Sequence, residues 1–386
     1  MIPKHASMRA LAVLLALAAG LCFAPAGAGA EAEGGAEARI NALLGLMTLE
    51  EKICQLFFVR PEDFSRISSV TKGSAKLENA FAKFPVGGVV LFPGNIKSGE
   101  QLTELNEAMQ SYAKKARGIG LLIGVDEEGG GVARVARKLK LKDAAPAMSV
   151  IGESGDPQKA YEIGVQIGAY LRGYGFTLDF APVADVRTDV EKTEITLRSF
   201  GYDAALVSEM VSGFVRGIQE QQVLAVLKHF PGHGGASGNA HNGSAVSTRT
   251  VGQWRSFEWL PFEAGLEAGA RVVMISHQTA AAVDGGQPAT LSYRIVTELL
   301  RGELGFEGVA VTDALRMDAV AGTYGSGEAC VRALLAGCDM LLLPKNFSNG
   351  YHGVLEAVAD GRLSEERIDE SVRRILKLKD ARGLLE

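Results

Sequence analysis

One short stretch of this chain concentrates the side chains that move protons. Residues 228–241 read KHFPGHGGASGNAH, and they follow the apolar run VLAVL. The unperturbed pKa of a histidine lies near neutrality, so its imidazole can give and take protons at physiological pH. The glycines after Pro231 predict a flexible loop with His241 at its far end. A histidine on a loop over a pocket is suited to general acid and base catalysis.

Two other interpretations of these histidines stay open. His229 and His233 are four residues apart, and on a helix that spacing can hold a metal ion. Pro231 and Gly232 stand between them and prevent the helix, so a metal site is the weaker hypothesis. His241 could also be an exposed loop histidine without a role. We expect neither a metal nor an organic cofactor.

Eight apolar runs of strand length could position these side chains. They cover residues 53–59, 86–92, 121–126, 176–185, 223–230, 270–277, 308–315 and 338–344. Segments of helical character separate most of them, among these residues 98–117, 156–175, 204–221 and 294–305. Continuous apolar strands between amphipathic helices are typical of a parallel sheet covered by helices. About eight such units predict an α/β fold, a (β/α)₈ TIM-type barrel forming a single catalytic domain.

An open doubly wound sheet is the alternative architecture. A dinucleotide-binding sheet of that kind carries a glycine fingerprint after its first strand, whereas here the first run is followed by RPEDFSR. Polar residues also favour the barrel, because they lie at or just past the carboxyl ends of the runs, where the strands of a barrel converge on an active site. They are Asp126, Asp185, Lys228, His229, His277 and Asp313.

The first residues have the layout of a secretory signal peptide. Lys4 and Arg9 precede an apolar run over residues 10–24, and an Ala-Gly-Ala triplet ends at Ala30. We therefore predict a leader over residues 1–30, a barrel over 31–386, and an exported protein in the periplasm or at the cell wall. An uncleaved membrane anchor and a lipid-modified Cys22 are alternatives; the run is short for a membrane span, and Leu21 fits a lipidation signal poorly.

Composition excludes several classes of partner. The 386 residues are 47% hydrophobic, enough for a large core, and the formal net charge of −5 offers no basic surface for nucleic acid. After the leader, the cysteines are Cys54, Cys330 and Cys338, an odd number that implies no disulfide framework. We expect buried free thiols, no stable membrane insertion after cleavage, and a monomer.

Several motifs, in order from residue 40 to the carboxyl terminus, resemble the glycoside hydrolase family 3 β-N-acetylglucosaminidases of the single-barrel type. The motifs that carry the likeness are GVDEEGG with Val132 and Arg134, DFAPVADV, LRSFG at 197–201, KHFPGHG with the loop histidine, GFEGVAVTDALRM at 305–317, AGCDMLLLP and ERIDESVRRILKLK. The resemblance implies the barrel without the further α/β domain that follows it in β-glucosidases of the family.

The resemblance also implies residue roles. Asp313 would be the catalytic nucleophile and His241 the general acid/base, with Asn239 in the place of the aspartate that orients the histidine in the family. Side chains that would bind the sugar hydroxyls are those of Asp126, Arg134, Arg198, Lys228 and His229. His277 and Asp185 are candidates for supporting them from behind, and a purely structural role is the favoured alternative for both.

The activity implied is that of an exported, retaining β-N-acetylglucosaminidase. It would release terminal β-linked N-acetylglucosamine from peptidoglycan fragments or chitin-like oligosaccharides through a covalent glycosyl-enzyme. The chain departs from the family at Asn239 and at Gly131, where the family has arginine, and no Asp or Glu lies between Lys228 and Glu258. A weakened or inactive member that binds cell-wall glycans is therefore the alternative, and a metal-dependent hydrolase is a third hypothesis.

Overall fold

The computed structural model describes residues 26–188, 195–238, 240, 243 and 245–386. Over this part of the chain, eight parallel strands form one sheet in the order β7-β6-β5-β4-β3-β2-β1-β8. A parallel bridge between Val311 and Met340 joins β7 to β8, so the sheet closes into a barrel. The strands are β1 Phe57–Val59, β2 Gly88–Val90, β3 Leu122–Val125, β4 Leu178–Asp179, β5 Leu224–Phe230, β6 Val272–Ile275, β7 Val309–Thr312 and β8 Leu341–Leu342.

Helices cover the outside of this barrel. The α-helices are α1 Ala26–Leu46, α2 Leu49–Gln55, α3 Pro61–Ser65, α4 Ala75–Lys83, α5 Gly99–Arg117, α6 Arg134–Leu139, α7 Met148–Gly152, α8 Pro157–Gly173, α9 Ala204–Glu220, α10 Val251–Gln253, α11 Leu260–Glu267, α12 Ala281–Asp284, α13 Asp318–Ala321, α14 Ser326–Ala336, α15 Phe347–Ala359 and α16 Glu365–Asp380. Two π-helical segments are Trp254–Glu258 and Arg294–Glu303. Side-chain oxygens cap the starts of α5, α8 and α9, from Ser98, Asp156 and Asp203.

Two phenylalanines and two glycines fill the barrel interior. Phe58 and Phe180 meet edge to face, with ring centroids 5.2 Å apart. A Cβ atom at Gly88 would lie 2.7 Å from the Phe58 ring, and one at Gly124 would lie 2.9 Å from Phe58 and 3.0 Å from Phe180. Large and small residues on neighbouring strands therefore alternate, so that the interior is packed.

The architecture confirms the predicted barrel and excludes the open doubly wound sheet. Every one of the eight apolar runs contains a barrel strand, and the four helical segments are helices, the last of them in the π form. Cys330 and Cys338 are buried free thiols, as expected, and so is Cys54. Residues 1–25 of the predicted leader lie outside the described residues, so the predicted boundary at residue 30 stays a prediction.

Helices α8 and α9 approach closely because glycines line their contact. A Cβ atom at Gly164 would lie 2.5 Å from the carbonyl oxygen of Phe214, and one at Gly217 would lie 2.2 Å from that of Tyr161. Real Cβ atoms do not approach an oxygen so closely, so any side chain here must push the helices apart. Gly173, at the end of α8, would meet nothing within 4 Å.

We therefore expect Gly164→Ala to lower the free energy of unfolding by about 1–3 kcal/mol, as overpacking does. Gly173→Ala is the matched control on the same helix, and it should be neutral or stabilising by up to about 1 kcal/mol. Urea denaturation of the two variants and the wild type measures both effects. Equal stability of the two variants would contradict the close helix contact.

Lys379 on α16 is a fully buried amine outside the barrel. Its Nζ donates to Oε1 of Gln55 at 2.7 Å. Burial lowers the pKa of Lys379 to about 7, well below the value of roughly 10.4 in an unfolded chain. Between these two pH values the unfolded chain binds more protons than the folded one, so this residue's contribution to stability increases as the pH rises.

Replacing Lys379 by methionine removes this titration. Relative to the wild type, Lys379→Met should be more stable at pH 7, and the advantage should shrink steadily towards pH 9.5. The measurement is the free energy of unfolding of both proteins in urea across that range, because other titrating groups cancel in the difference. A difference that does not vary with pH would mean that Lys379 is charged in the folded protein throughout.

Candidate active site

A cavity of about 340 Å³ opens at the carboxyl ends of the strands, where the sequence predicted the site. Its wall combines polar and apolar side chains. The polar lining residues are Asp126, Glu128, Arg134, Arg198, Lys228, His229, His233 and Asp313; the apolar ones include Val90, Phe92, Val132, Phe180, Met274, Met317, Leu342 and Leu343. The predicted residues at 126, 134, 198, 228, 229 and 313 therefore come together in one cavity.

Lys228 is the centre of these polar residues. It is 1% exposed at the end of β5, and its Nζ lies 2.5 Å from Oε1 of Glu128 and 3.1 Å from Oδ1 of Asp126. Arg198 holds the same Glu128 with two hydrogen bonds of 2.8 Å, from Nε to Oε2 and from Nη2 to Oε1. Two cations and two carboxylates thus form one cluster drawn from three segments of the chain.

The cluster keeps its members charged in spite of their burial. Burial opposes the charged form of Glu128, but Lys228 and Arg198 outweigh it and lower the pKa of this carboxyl to about 2. Burial likewise works against the charged form of Lys228, and the carboxylates of Glu128 and Asp126 reverse its effect, so the pKa of the amine is raised. The site therefore offers fixed charged donors and acceptors at neutral pH.

His229 is held by Asp185, which is fully buried. Nδ1 of His229 lies 2.7 Å from Oδ2 of Asp185, and the carboxylate also accepts from the backbone N–H groups of His229 and His233. On the other side of the ring, Nη2 of Arg198 lies 3.4 Å from Nε2. A guanidinium can only donate, so Nε2 of His229 accepts a hydrogen bond from Arg198. Nδ1 then carries the ring proton and donates a hydrogen bond to Asp185. Asp185 thus lies behind His229, at the back of the cavity wall.

A glycine turn and a buried glutamate place Arg134. Glu127 accepts from the backbone N–H groups of Val135 and Ala136 at 2.7 and 2.8 Å, so it caps the start of α6, where Arg134 stands. Gly129 has φ of 95°, and a Cβ atom there would lie 2.3 Å from the carbonyl oxygen of Pro146. Only glycine fits this turn, which folds the chain back from Asp126 to the cavity wall.

The guanidinium of Arg134 has a buried donor that no structural partner in the described part of the chain satisfies. Its Nε is buried and finds no hydrogen-bond partner among the described residues, although the side chain lines the cavity. A buried donor without a partner is costly. Arg134 is therefore available to donate to a molecule bound in the cavity.

Asp313 follows β7 and faces the cavity, as predicted. The backbone N–H of Ala314 donates to its Oδ1 at 2.7 Å, and its own N–H donates to the carbonyl of Ile275 on β6. These contacts fix the orientation of the carboxylate. His277, kept as a supporting residue, lies behind it: Nδ1 is 2.9 Å from Oγ1 of Thr290 and Nε2 is 3.0 Å from the carbonyl oxygen of Ala314.

The two predicted loop residues, Asn239 and His241, lie outside the described residues. Their neighbour Ala240 is described and lines the cavity. It is 1% exposed in a small apolar cluster with Ala236, Ala245 and Met317, and its carbonyl oxygen accepts from the backbone N–H of Ala319 at 3.3 Å. The loop therefore touches the segment that follows Asp313.

Sequence reasoning missed Glu128, which is the carboxylate that binds both Lys228 and Arg198. A signal was present, since residues 126 and 128 alternate and would face the same side of an extended chain. Glu127 was missed as well; nothing in the sequence indicates that its carboxylate caps α6. His233 was considered only as a metal ligand, and the structure places it in the cavity wall with its ring centroid 5.8 Å from that of His229.

The described part of the chain shows neither a metal site nor a membrane span. There, no group of three or more His, Cys, Asp or Glu side chains is arranged to hold a metal ion. Nor is any helix there both long enough and apolar enough to cross a membrane.

Comparison with known proteins identifies the family. Residues 48–378 match the model of the glycosyl hydrolase family 3 N-terminal domain. The chain is 30% identical over 337 residues to Beta-hexosaminidase A of Pseudoalteromonas piscicida, covering 81% of this chain and 56% of that protein. It is 36% identical over 278 residues to a Beta-hexosaminidase of Stenotrophomonas maltophilia (strain R551-3), covering 70% of this chain and 80% of that protein.

Among solved structures, the chain is similar to a glycoside hydrolase family 3 β-N-acetylglucosaminidase from Paenibacillus sp. str. FPU-7. The TM-score is 0.82 at 34% identity, covering 88% of this chain and 63% of that one. The chain thus spans 56% of the first relative and 63% of this structure's chain. On the family match over residues 48–378, the chain belongs to glycosyl hydrolase family 3.

Proposed function

We propose that this protein is a retaining β-N-acetylglucosaminidase that removes terminal β-linked N-acetylglucosamine from a glycan. The observation that carries the proposal is the placement of the Asp313 carboxylate in the same cavity as the Lys228–Glu128–Arg198–Asp126 cluster. The hexosaminidase and β-N-acetylglucosaminidase relatives support the choice of sugar.

The charges of the cavity favour a neutral sugar. Histidines aside, the acidic and basic side chains among the described lining residues balance: Asp126, Glu128 and Asp313 against Arg134, Arg198 and Lys228. A balanced set of charged donors and acceptors suits hydroxyl groups, which both donate and accept. The apolar lining residues, with Phe92, Phe180 and Met317 among them, suit the C–H face of a sugar ring.

The residues divide the reaction between them. The carboxylate of Asp313 attacks the anomeric carbon, the bond to the leaving oxygen breaks, and a covalent glycosyl-enzyme forms. Asp126, Arg134, Arg198, Lys228 and His229 hold the ring in place for this attack. His241 gives a proton to the leaving oxygen and then takes one from the water that releases the sugar. This chemistry is complete without a metal or an organic cofactor.

We also propose that the protein is exported as a monomer and acts on peptidoglycan fragments or chitin-like oligosaccharides. Support for export comes from the signal-like residues 1–30. A product assay on cell-wall fragments and on chitin oligosaccharides would separate the two substrate classes.

A binding protein with weak activity is the second candidate. It is favoured by Asn239 and Gly131, the departures from the family around the active face. A Cβ atom at Gly131 would meet nothing within 4 Å, so the backbone there does not require glycine to avoid a neighbour.

We expect Asp313→Asn to abolish hydrolysis of an aryl N-acetylglucosaminide, by a factor on the order of a thousand or more. The amide keeps the shape of the side chain but removes the nucleophilic charge. Asp318→Asn, at an exposed position on the following helix, is the matched control and should keep near wild-type activity. A near wild-type rate in Asp313→Asn, with a folded protein by circular dichroism, would show that the nucleophile is another residue.

We expect Asn239→Asp to raise kcat/KM about tenfold with a leaving group that needs protonation. A carboxylate stabilises an imidazolium by charge, whereas an amide only accepts a hydrogen bond, and the difference is on the order of 1–2 kcal/mol. The gain should vanish in a His241→Ala background, which a double-mutant cycle measures. A lower or unchanged rate in Asn239→Asp would favour the binding protein, or a histidine oriented by another group.

A further inference from the structure

A buried ion pair lies directly under the glycine-rich loop. Glu258, the last residue of the π-helical segment Trp254–Glu258, is 0% exposed. Its Oε1 lies 2.8 Å from Nε of Arg249, whose side chain is 29% exposed. Neither carboxylate oxygen of Glu258 has a hydrogen-bond partner among the described residues. The ion pair with Arg249 thus compensates the charge of the buried carboxylate.

The backbone of the loop rests on this pair. A Cβ atom at Gly232, whose φ is 122°, would lie 2.6 Å from Cβ of Glu258. One at Gly235 would lie 3.3 Å from both Nε of Arg249 and Oε1 of Glu258. Glycine at these two positions therefore lets the loop settle onto the ion pair.

Other contacts hold the two ends of the loop beside this support. Nε2 of Gln278 donates to the carbonyl of Gly232 at 3.0 Å. Ser237 and Val246 exchange two backbone hydrogen bonds of 2.9 and 2.8 Å, which bring the two arms of the loop together. The segment between them reaches the cavity at Ala240, where it meets Ala319 and Met317.

Glu258 is one of two buried carboxylates at the base of this loop; the other is Asp185, which accepts from the backbone N–H of His233 at 2.6 Å. Burial raises the pKa of Glu258, Arg249 opposes the rise, and the neighbouring Asp185 adds to it. Residues 229–257 contain no acid, so Glu258 is a carboxylate that the fold, rather than the local sequence, brings to the loop.

We propose that Glu258 and Arg249 are positioning residues for the reaction: their ion pair fixes the base of the loop, residues 232–237, and thereby the loop that carries the proton donor. The inference rests on the proposed function, in which His241 protonates the leaving oxygen. Glu258 does not touch the substrate. It acts through the loop backbone that lies on it.

The test is Glu258→Gln, which keeps the shape of the side chain and removes its charge. Poor positioning of a proton donor affects leaving groups that need protonation and spares those that do not. We expect kcat/KM for phenyl N-acetylglucosaminide to fall about tenfold or more, and kcat/KM for the 2,4-dinitrophenyl analogue to change less than about threefold. Glu303→Gln is the matched control, because Glu303 pairs with the exposed Arg255 of the same π-helical segment; it should leave both rates unchanged.

Gly235→Ala is a second test variant in case Glu258→Gln folds poorly. Its new Cβ atom presses on the ion pair at 3.3 Å, so it should give the same dependence on the leaving group. Equal losses with both substrates, or no loss, in a folded Glu258→Gln or Gly235→Ala would overturn the positioning role and leave the proposed function intact. A wild-type protein that hydrolyses neither substrate would overturn the proposed function and this inference with it.

Discussion

The burial of the Lys228 amine is the constraint on which the active face depends. An ammonium group taken out of water costs several kcal/mol unless carboxylates surround it closely. Glu128 at 2.5 Å and Asp126 at 3.1 Å meet this requirement, and Arg198 shares Glu128. Moving any one member would leave a buried charge uncompensated, so the cluster locks the end of β3, the end of β5 and the loop after β4 into one arrangement.

The register of the sheet brings the members of this cluster close together. Val125 pairs with Asp179, and Asp179 pairs with Ala225, so the last residues of β3 and β4 stand beside the start of β5, which continues through Lys228 to Phe230. Parallel strands place all their carboxyl ends on one face, and residues just past those ends must meet. The same register brings Asp313 beside β6 through the hydrogen bond from its N–H to Ile275. The chemistry of the site is therefore a consequence of the barrel's closure.

This dependence explains what the sequence could predict. Continuous apolar runs identify the strands, and a polar residue at the end of a run, such as Asp126 or Lys228, is identified with it. The sequence could not predict which side chains pair across the barrel, because partners such as Arg198 and Glu128 are 70 positions apart along the chain. Glu258 was likewise noted only as the first acid after the loop; its place under Gly232 depends on the π-helical segment, which periodicity does not distinguish from an α-helix.

Stability and reaction are carried by different parts of this active face. The buried cluster and the barrel interior need each of their residues, since each is packed or paired. The departures from the family fall elsewhere: Gly131 has open space around its Cβ position, and the substitution at 239 belongs to a loop whose base rests on glycines and one ion pair. Under the proposed mechanism, a change at position 239 would therefore affect the proton donor, while Lys228 and its partners keep their own contacts.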